Sequence, residues 1–408
     1  MKRVVITGIG VVSPLGNDVE SFFSALTAGR SGIRKLETSW QGVTYAGLVD
    51  CALEAHFPKV KRIGMDRVTM LALVAARQAH AAAGHSTAGA AAERTGIYWS
   101  SGMGGAATLE AAYHDLLVRR VARLKPSTIV LVMTNAATGQ IGIDLGIRGP
   151  SLTYSSACSS SAVAIGEAYR AIRFGLVDAA LAGGAEALLT EGVIKAWGSL
   201  GTLAHIDEEH PETSLRPFAA DRSGFLLAEG AAALMLEEEG AARARGAPIL
   251  AAITGYGNTT DATHITLPDA DGQVRAMRQA LTEAALDPRE VDHINAHGTG
   301  TKAGDVVETN AIRQVFGEHA RHIPISATKA LHGHLMGATG ALEFIAAIEA
   351  LRQRVAPPTA HLWNPDPRCD LDYVALTARS LAQADVAMSN SFGFGGNNAV
   401  LIAKLHAP

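Results

Sequence analysis

The chain has 408 residues, 48% of them hydrophobic and 18% charged, with a formal net charge of −4 at pH 7. That length allows a large core and two domains or half-domains, and the charge balance leaves no basic footprint for nucleic acid. Three cysteines, Cys51, Cys158 and Cys369, are too few and too odd in number for a disulfide framework, suit a reducing compartment, and form no CxxC or His/Cys cluster of the kind that binds zinc.

The first apolar run, RVVITGIG (3–10), follows a basic start like a signal peptide. It is short, β-branched, broken by Gly8 and Gly10, and lacks a small-residue cleavage site, so the pattern predicts a buried strand. Further strands are predicted at 96–102, 151–157, 179–185 and 231–238, and helices at 66–83, 106–120, 159–174, 274–286, 304–316 and 339–352. This alternation argues an α/β protein whose helices cover a buried sheet. No stretch reaches the roughly 18 to 20 apolar residues of a membrane span, and the expected location is the cytoplasm.

The chain also resembles itself. VVITGIG near the start pairs with AAITGYG (251–257), and GIYWSSG (96–102) with DHINAHG (292–298). SLTYSSAC (151–158) pairs with IPISATKA (323–330), and GFLLAEGAAALMLEE (224–238) with SFGFGGNNAVLIAKL (391–405). The four pairs keep their order, which points to a duplicated unit with halves 1–245 and 246–408 and a linker near 240–248.

Four stretches offer chemistry. In TYSSACSSSAVAIGEAYR (153–170) Cys158 stands where a predicted helix begins, and the positive end of a helix favours thiolate. NAHGTGTKAGDVVE (295–308) carries His297, SATKALHGHLMGATGALE (326–343) carries Lys329, His332 and His334, and SNSFGFGGNNA (389–399) is a glycine-rich turn that a ligand can approach closely. If the halves are duplicates, Cys158 and Lys329 occupy equivalent strand-to-helix corners and His297 enters from a neighbouring strand end. Cys, His, Lys and His then surround one pocket suited to acyl transfer. His332 is read as exposed and idle. GIGVVS after the first strand imitates a dinucleotide fingerprint, but Ser13 replaces the third glycine and Pro14 follows.

With SSACSSS, NAHGTGTKAGD, TKALHGH and GFGG in place, nearly the whole chain resembles an elongating β-ketoacyl-[acyl carrier protein] synthase of the thiolase superfamily. The resemblance implies duplicated α/β halves in an α-β-α-β-α layering. It implies that Cys158 accepts the acyl chain, that His297 and His334 stabilise the enolate formed on decarboxylation of a malonyl thioester, and that Lys329 and Glu343 balance the histidine network. Backbone amides of Cys158 and Phe394 become the oxyanion hole, and Phe394 the gate of the acyl pocket. Thr299 and Thr301 match threonines that bond the phosphopantetheine arm; Thr266, in the loop TTDATHITLPD (259–269), Met103 and Phe392 complete the substrate-binding set. No metal and no cofactor of its own are implied, because substrates ride on the phosphopantetheine of acyl carrier protein.

The same resemblance implies a basic entrance for the acidic carrier, with Lys59, Lys61, Arg62 and Arg67 as one candidate patch and Arg119, Arg120, Arg123 and Lys125 as another. It implies a homodimer, or a heterodimer with a chain-length-factor-like homologue, paired through SLTYSSA. Small residues in MTNAATGQ (133–140), Thr134 and Ala137 among them, then leave room for the pocket to run across the interface. Two other readings compete. A chain-length-factor-like subunit lacks the nucleophile, which Cys158 argues against; a biosynthetic thiolase needs a second cysteine where Phe394 stands. Polyketide or polyene synthesis competes with fatty acid elongation, because HGTGT, Asn397, IGMD (63–66) and the 126–150 stretch depart from the fatty-acid pattern.

Overall fold

The computed structural model describes residues 1–37 and 44–405. Ten strands form its main sheet: β1 Val4–Val12, β2 Thr95–Ser100, β3 Ser151–Tyr154, β4 Ala179–Glu186, β5 Gly230–Glu238, β6 Ala251–Thr260, β7 His293–Asn295, β8 Ile325–Ser326, β9 Val386–Gly393 and β10 Asn397–Lys404. The helices that matter here are α1 Arg67–Ala83, α2 Ala106–Leu117, α3 Ala136–Leu145, α4 Ser160–Arg173, α5 Glu191–Ser199, α6 Ala270–Ala284, α7 Gly304–Phe316, α8 Lys329–His332 and α9 Thr339–Gln353.

The strand order is β8-β7-β9-β10-β6-β1-β5-β4-β2-β3. Followed outward from the centre, β1-β5-β4-β2-β3 on one side matches β6-β10-β9-β7-β8 on the other. The four repeated sequence pairs fall on β1/β6, β2/β7, β3/β8 and β5/β10. The two sets meet through a short antiparallel contact, Val4 with Ile253, Val5 with Ala252 and Ile6 with Ala251.

The duplication extends to single atoms. A Cβ on Gly8 would collide with the Ala79 carbonyl and Ala83, and one on Gly10 with the Ala75 carbonyl, so α1 lies directly on β1. In the second half, Gly255 and Gly257 meet Ala280, Ala284 and Ala276 of α6 in the same way. The GxG that imitates a dinucleotide fingerprint is therefore a helix-packing device. Helices α4 and α9 pack against each other and against strands of both halves. Every residue of α9 from Thr339 to Leu351 is buried, as expected of a helix enclosed on all sides. The layers thus run α1, sheet, α4 with α9, sheet, α6, which is the thiolase fold.

The predicted elements appear with small shifts. Helix α6 starts at Ala270 rather than 274 because Asp269 caps it, accepting from the Asp271 N–H. No helix among the described residues is long and apolar enough to cross a membrane.

Candidate active site

Strand β3 leads to the candidate thiol. After Tyr154 the chain turns sharply, with Ala157 in the left-handed region at φ 52°, and Cys158 follows just ahead of α4. Ser160 fixes the turn: its Oγ donates to the Ala157 carbonyl at 2.6 Å and accepts from the Ser156 N–H at 2.8 Å. The glycine-rich turn lies directly on this elbow. A Cβ on Gly393 would stand 2.8 Å from the Ser156 carbonyl oxygen. Burial pushes the Cys158 thiol up to about 11, while Lys329 and the N–H groups of Phe394 and of Cys158 itself pull it down. The thiolate preference expected from the helix end is thus outweighed by desolvation, and the thiol rests protonated.

The second half supplies the basic groups. His297 follows β7, Lys329 opens α8 three residues after β8, and His334 follows α8. The Lys329 side chain is completely buried. Its three N–H groups serve Glu343 Oε2 and Oε1 at 2.7 and 2.9 Å and the His297 carbonyl, and His297 Nδ1, at 3.4 Å, shares one of those protons as an acceptor. On His334, Nδ1 accepts from the Met336 N–H at 3.3 Å and lies 2.9 Å from Thr339 Oγ1. Donors therefore occupy both Nδ1 atoms, which places the ring proton of each neutral imidazole on Nε2. The His334 Nε2 is buried with no partner. Cys158 Sγ and one ring nitrogen from each histidine lie within 4.8 Å of one another. Burial first, and then the Lys329 charge, hold both histidines well below the usual imidazole range, so both stay neutral. Burial also pushes Glu343 up to about 7 against the pull of Lys329.

These groups open into a cavity of about 310 Å³ lined by Cys158, His297, His334, Thr299, Thr301, Thr266, Phe392 and Phe394, among others. Thr299 Oγ1 and Thr301 Oγ1 lie 3.0 Å apart at its wall. Phe394 stacks on Trp197 of α5 with ring centroids 5.8 Å apart; Trp197 meets Phe225, and Phe225 meets His334 edge-on at 5.1 Å. Met103 stands apart from the Cys158 cavity, in an open apolar groove between α2 and α5 that shares Trp197 and Leu200 with the surroundings of that cavity.

Several expectations are corrected. His332 is wholly buried rather than exposed: Nδ1 lies 2.7 Å from the Gly333 carbonyl and Nε2 3.0 Å from Thr328 Oγ1. Arg67 is held by Glu229 at 2.6 Å through both Nε and Nη2, so it is not a free member of a basic patch. Ala137 is buried in the core of its own subunit beside Ile97 and Trp99, so a larger side chain there would overpack that core. Sequence reasoning missed Glu308, which accepts the His297 and Gly298 N–H groups at 2.8 Å each, and the buried Glu186. It also missed Trp197 and Phe225. Glu308 was within reach, as a carboxylate eleven residues after a strand-end histidine.

A thiol in an oxyanion-type turn facing two neutral Nε2–H imidazoles on a thiolase fold defines a condensing acyltransferase. The chain belongs to the beta-ketoacyl synthase family: the N-terminal domain of that family matches residues 1–242 and the C-terminal domain residues 250–363. It is 42% identical over 409 residues to the 3-oxoacyl-[acyl-carrier-protein] synthase 2 of Staphylococcus aureus (strain N315), covering 99% of this chain and 98% of that protein. It is 43% identical over 408 residues to nodulation protein E of Rhizobium meliloti (strain 1021), covering 99% of each. Among solved structures, the ishigamide ketosynthase/chain length factor superimposes with a TM-score of 0.91 at 34% identity over 100% of both chains.

Proposed function

We propose that the chain extends an acyl group by two carbons in three steps, each carried by residues named above. The Cys158 sulfur attacks the acyl thioester of an acyl carrier protein, the new thioester forms, and the thiol proton leaves on the carrier's phosphopantetheine sulfur. A malonyl thioester then enters past Thr299 and Thr301. Its carboxylate leaves as carbon dioxide, and the electron pair is received as an enolate whose oxygen accepts from the Nε2–H of His297 and of His334. The enolate carbon attacks the acyl carbonyl on Cys158, and the oxyanion sits on the Cys158 and Phe394 N–H groups until the sulfur departs. Enolate charge in a dry pocket is stabilised by fixed donors more strongly than by water. Lys329 and Glu343 keep the proton off His297 Nδ1.

The observation that carries this reading is the arrangement of the two imidazoles: both Nδ1 atoms are engaged by donors, and the His334 Nε2 is unpartnered beside the thiol. Likeness to the Staphylococcus acyl-carrier-protein synthase supports the carrier, and likeness to the ishigamide ketosynthase/chain length factor supports a chain-length-factor partner. A homodimer is the simpler arrangement. In either, the partner adds to β3, an edge strand with Ser151 and Leu152 exposed. The halves 1–245 and 246–408 divide the work, the first supplying the thiol and the second the histidines, lysine and glutamate. We place the enzyme in the cytoplasm, in fatty acid or type II polyketide or polyene synthesis. Incubation with malonyl carrier protein and a series of acyl primers, with products weighed, tests the reading. Products two carbons longer than each accepted primer, after loss of carbon dioxide, are expected. Acyl exchange without lengthening would overturn it.

A further inference from the structure

Glu186 ends β4 inside the molecule, fully buried, and takes no part in the steps above. Its carboxylate accepts four hydrogen bonds from neutral donors. Oε2 receives the Gly102 and Gly337 N–H groups at 2.7 and 3.0 Å; Oε1 receives Ser101 Oγ and the Met103 N–H at 3.1 and 3.3 Å. One carboxylate thus staples the loop after β2 to the turn after His334. A Cβ on Gly337 would lie 2.7 Å from Oε2, so this approach requires glycine. The other half of the molecule holds a matching device. Gly102 and Gly298 are equivalent positions of the repeat, and each gives its N–H to a buried carboxylate, Glu186 at the end of β4 and Glu308 within α7.

The turn that Glu186 grips is strained. Met336, between His334 and Gly337, has φ 44°, a left-handed conformation that a methionine rarely adopts. In that conformation its N–H reaches His334 Nδ1. We propose that Glu186 is a positioning residue for His334: by holding the Gly337 N–H it keeps Met336 left-handed, and so keeps a donor on His334 Nδ1 and the ring proton on Nε2. The inference rests on the reading of His334 as an enolate donor. The same carboxylate receives the Met103 N–H, so it joins the loop that borders the apolar groove to the turn that carries His334.

Glu186→Gln keeps the shape but turns an amide NH₂ toward donors, breaking part of the staple. Malonyl decarboxylation by the acylated enzyme should fall on the order of tenfold to a hundredfold, while acylation of Cys158 stays within about twofold, since a small displacement of one donor is costly where the acyl step does not use it. If Glu186→Gln does not fold, Glu186→Asp, which keeps the charge but shortens the reach, carries the same comparison. Equal loss in both half-reactions, or loss in neither, overturns the proposal. His334→Ala runs beside it. Decarboxylation retained in His334→Ala overturns the reading of His334 and this inference with it; decarboxylation lost there but kept in Glu186→Gln overturns this inference alone.

Discussion

The chemistry of this site turns on where two protons sit. Lys329 donates to His297 Nδ1 and the Met336 N–H to His334 Nδ1, so each ring presents Nε2–H to the cavity. His297→Ala and His334→Ala should therefore damage malonyl decarboxylation far more than acylation of Cys158, with losses on the order of 10²–10³ for one such donor. Both rings are held neutral well below the ordinary imidazole range, first by burial and then by the Lys329 charge. Lowering the pH through roughly 6.5, the ordinary imidazole value, should thus leave decarboxylation unchanged, with loss appearing only well below it. A pH–rate profile of that half-reaction checks this; a fall centred near the ordinary value would show the rings to be in contact with water. At this scale the gathering of the Cys158 thiol, the paired histidines and Lys329 was legible, because rare residue types stood in glycine-rich surroundings. His332 was misread, since the sequence does not show that its ring is turned into the core, against Thr328 and the Gly333 carbonyl, rather than out to solvent. Glu186 was not legible: a carboxylate that serves backbone amides looks like any other among 39 acidic residues.

Elements are tied to one another by a few buried charges. Glu237 on β5 receives Thr7 Oγ1 of β1 at 2.5 Å and Arg245 Nε at 2.9 Å, and lies 3.2 Å from His85 Nδ1, just beyond α1. Burial acts to raise its carboxyl, but the bonds from His85, Arg245 and Thr7 outweigh that and bring it down to about 2. Its folded value lies below its unfolded one, so the stabilisation is fully present above the unfolded carboxyl range, about 4.3, and is lost as pH falls from there toward 2. Glu237→Gln should lower stability at neutral pH by about 1.5–3 kcal/mol, the worth of a hydrogen bond to a charged group, and flatten the acid-side slope. Urea midpoints across that range measure both; an unchanged slope would contradict the assignment. The strands and long helices were legible as apolar runs and helical spacing. Helix α3 was not, because Gly139 and Gly142 interrupt it, and neither was the mostly exposed α5, although its Trp197 carries Phe394.

In the whole molecule, duplication explains why one site is assembled from distant sequence. Strands β3 and β8 are counterparts, and the corners that follow them hold Cys158 and Lys329; Cys158 lines the cavity, while Lys329 is buried behind it and its charge acts on the thiol. The repeat was legible because glycine and alanine positions in β1 with α1 and β6 with α6 satisfy the same steric demand. What covers the edge beside β3 was not legible, since exposed Leu152, Ile143 and Ile129 could face water or a partner with the same sequence. The proposed function depends on Cys158 carrying the growing chain between two half-reactions. It is tested most directly by intact mass and peptide mapping after incubation with an acyl carrier protein bearing a short acyl group, followed by malonyl carrier protein. One acyl group is expected on Cys158, absent from Cys158→Ala, and it should disappear with release of a product two carbons longer. An acyl group on another residue, or lengthening sustained by Cys158→Ala, would contradict it.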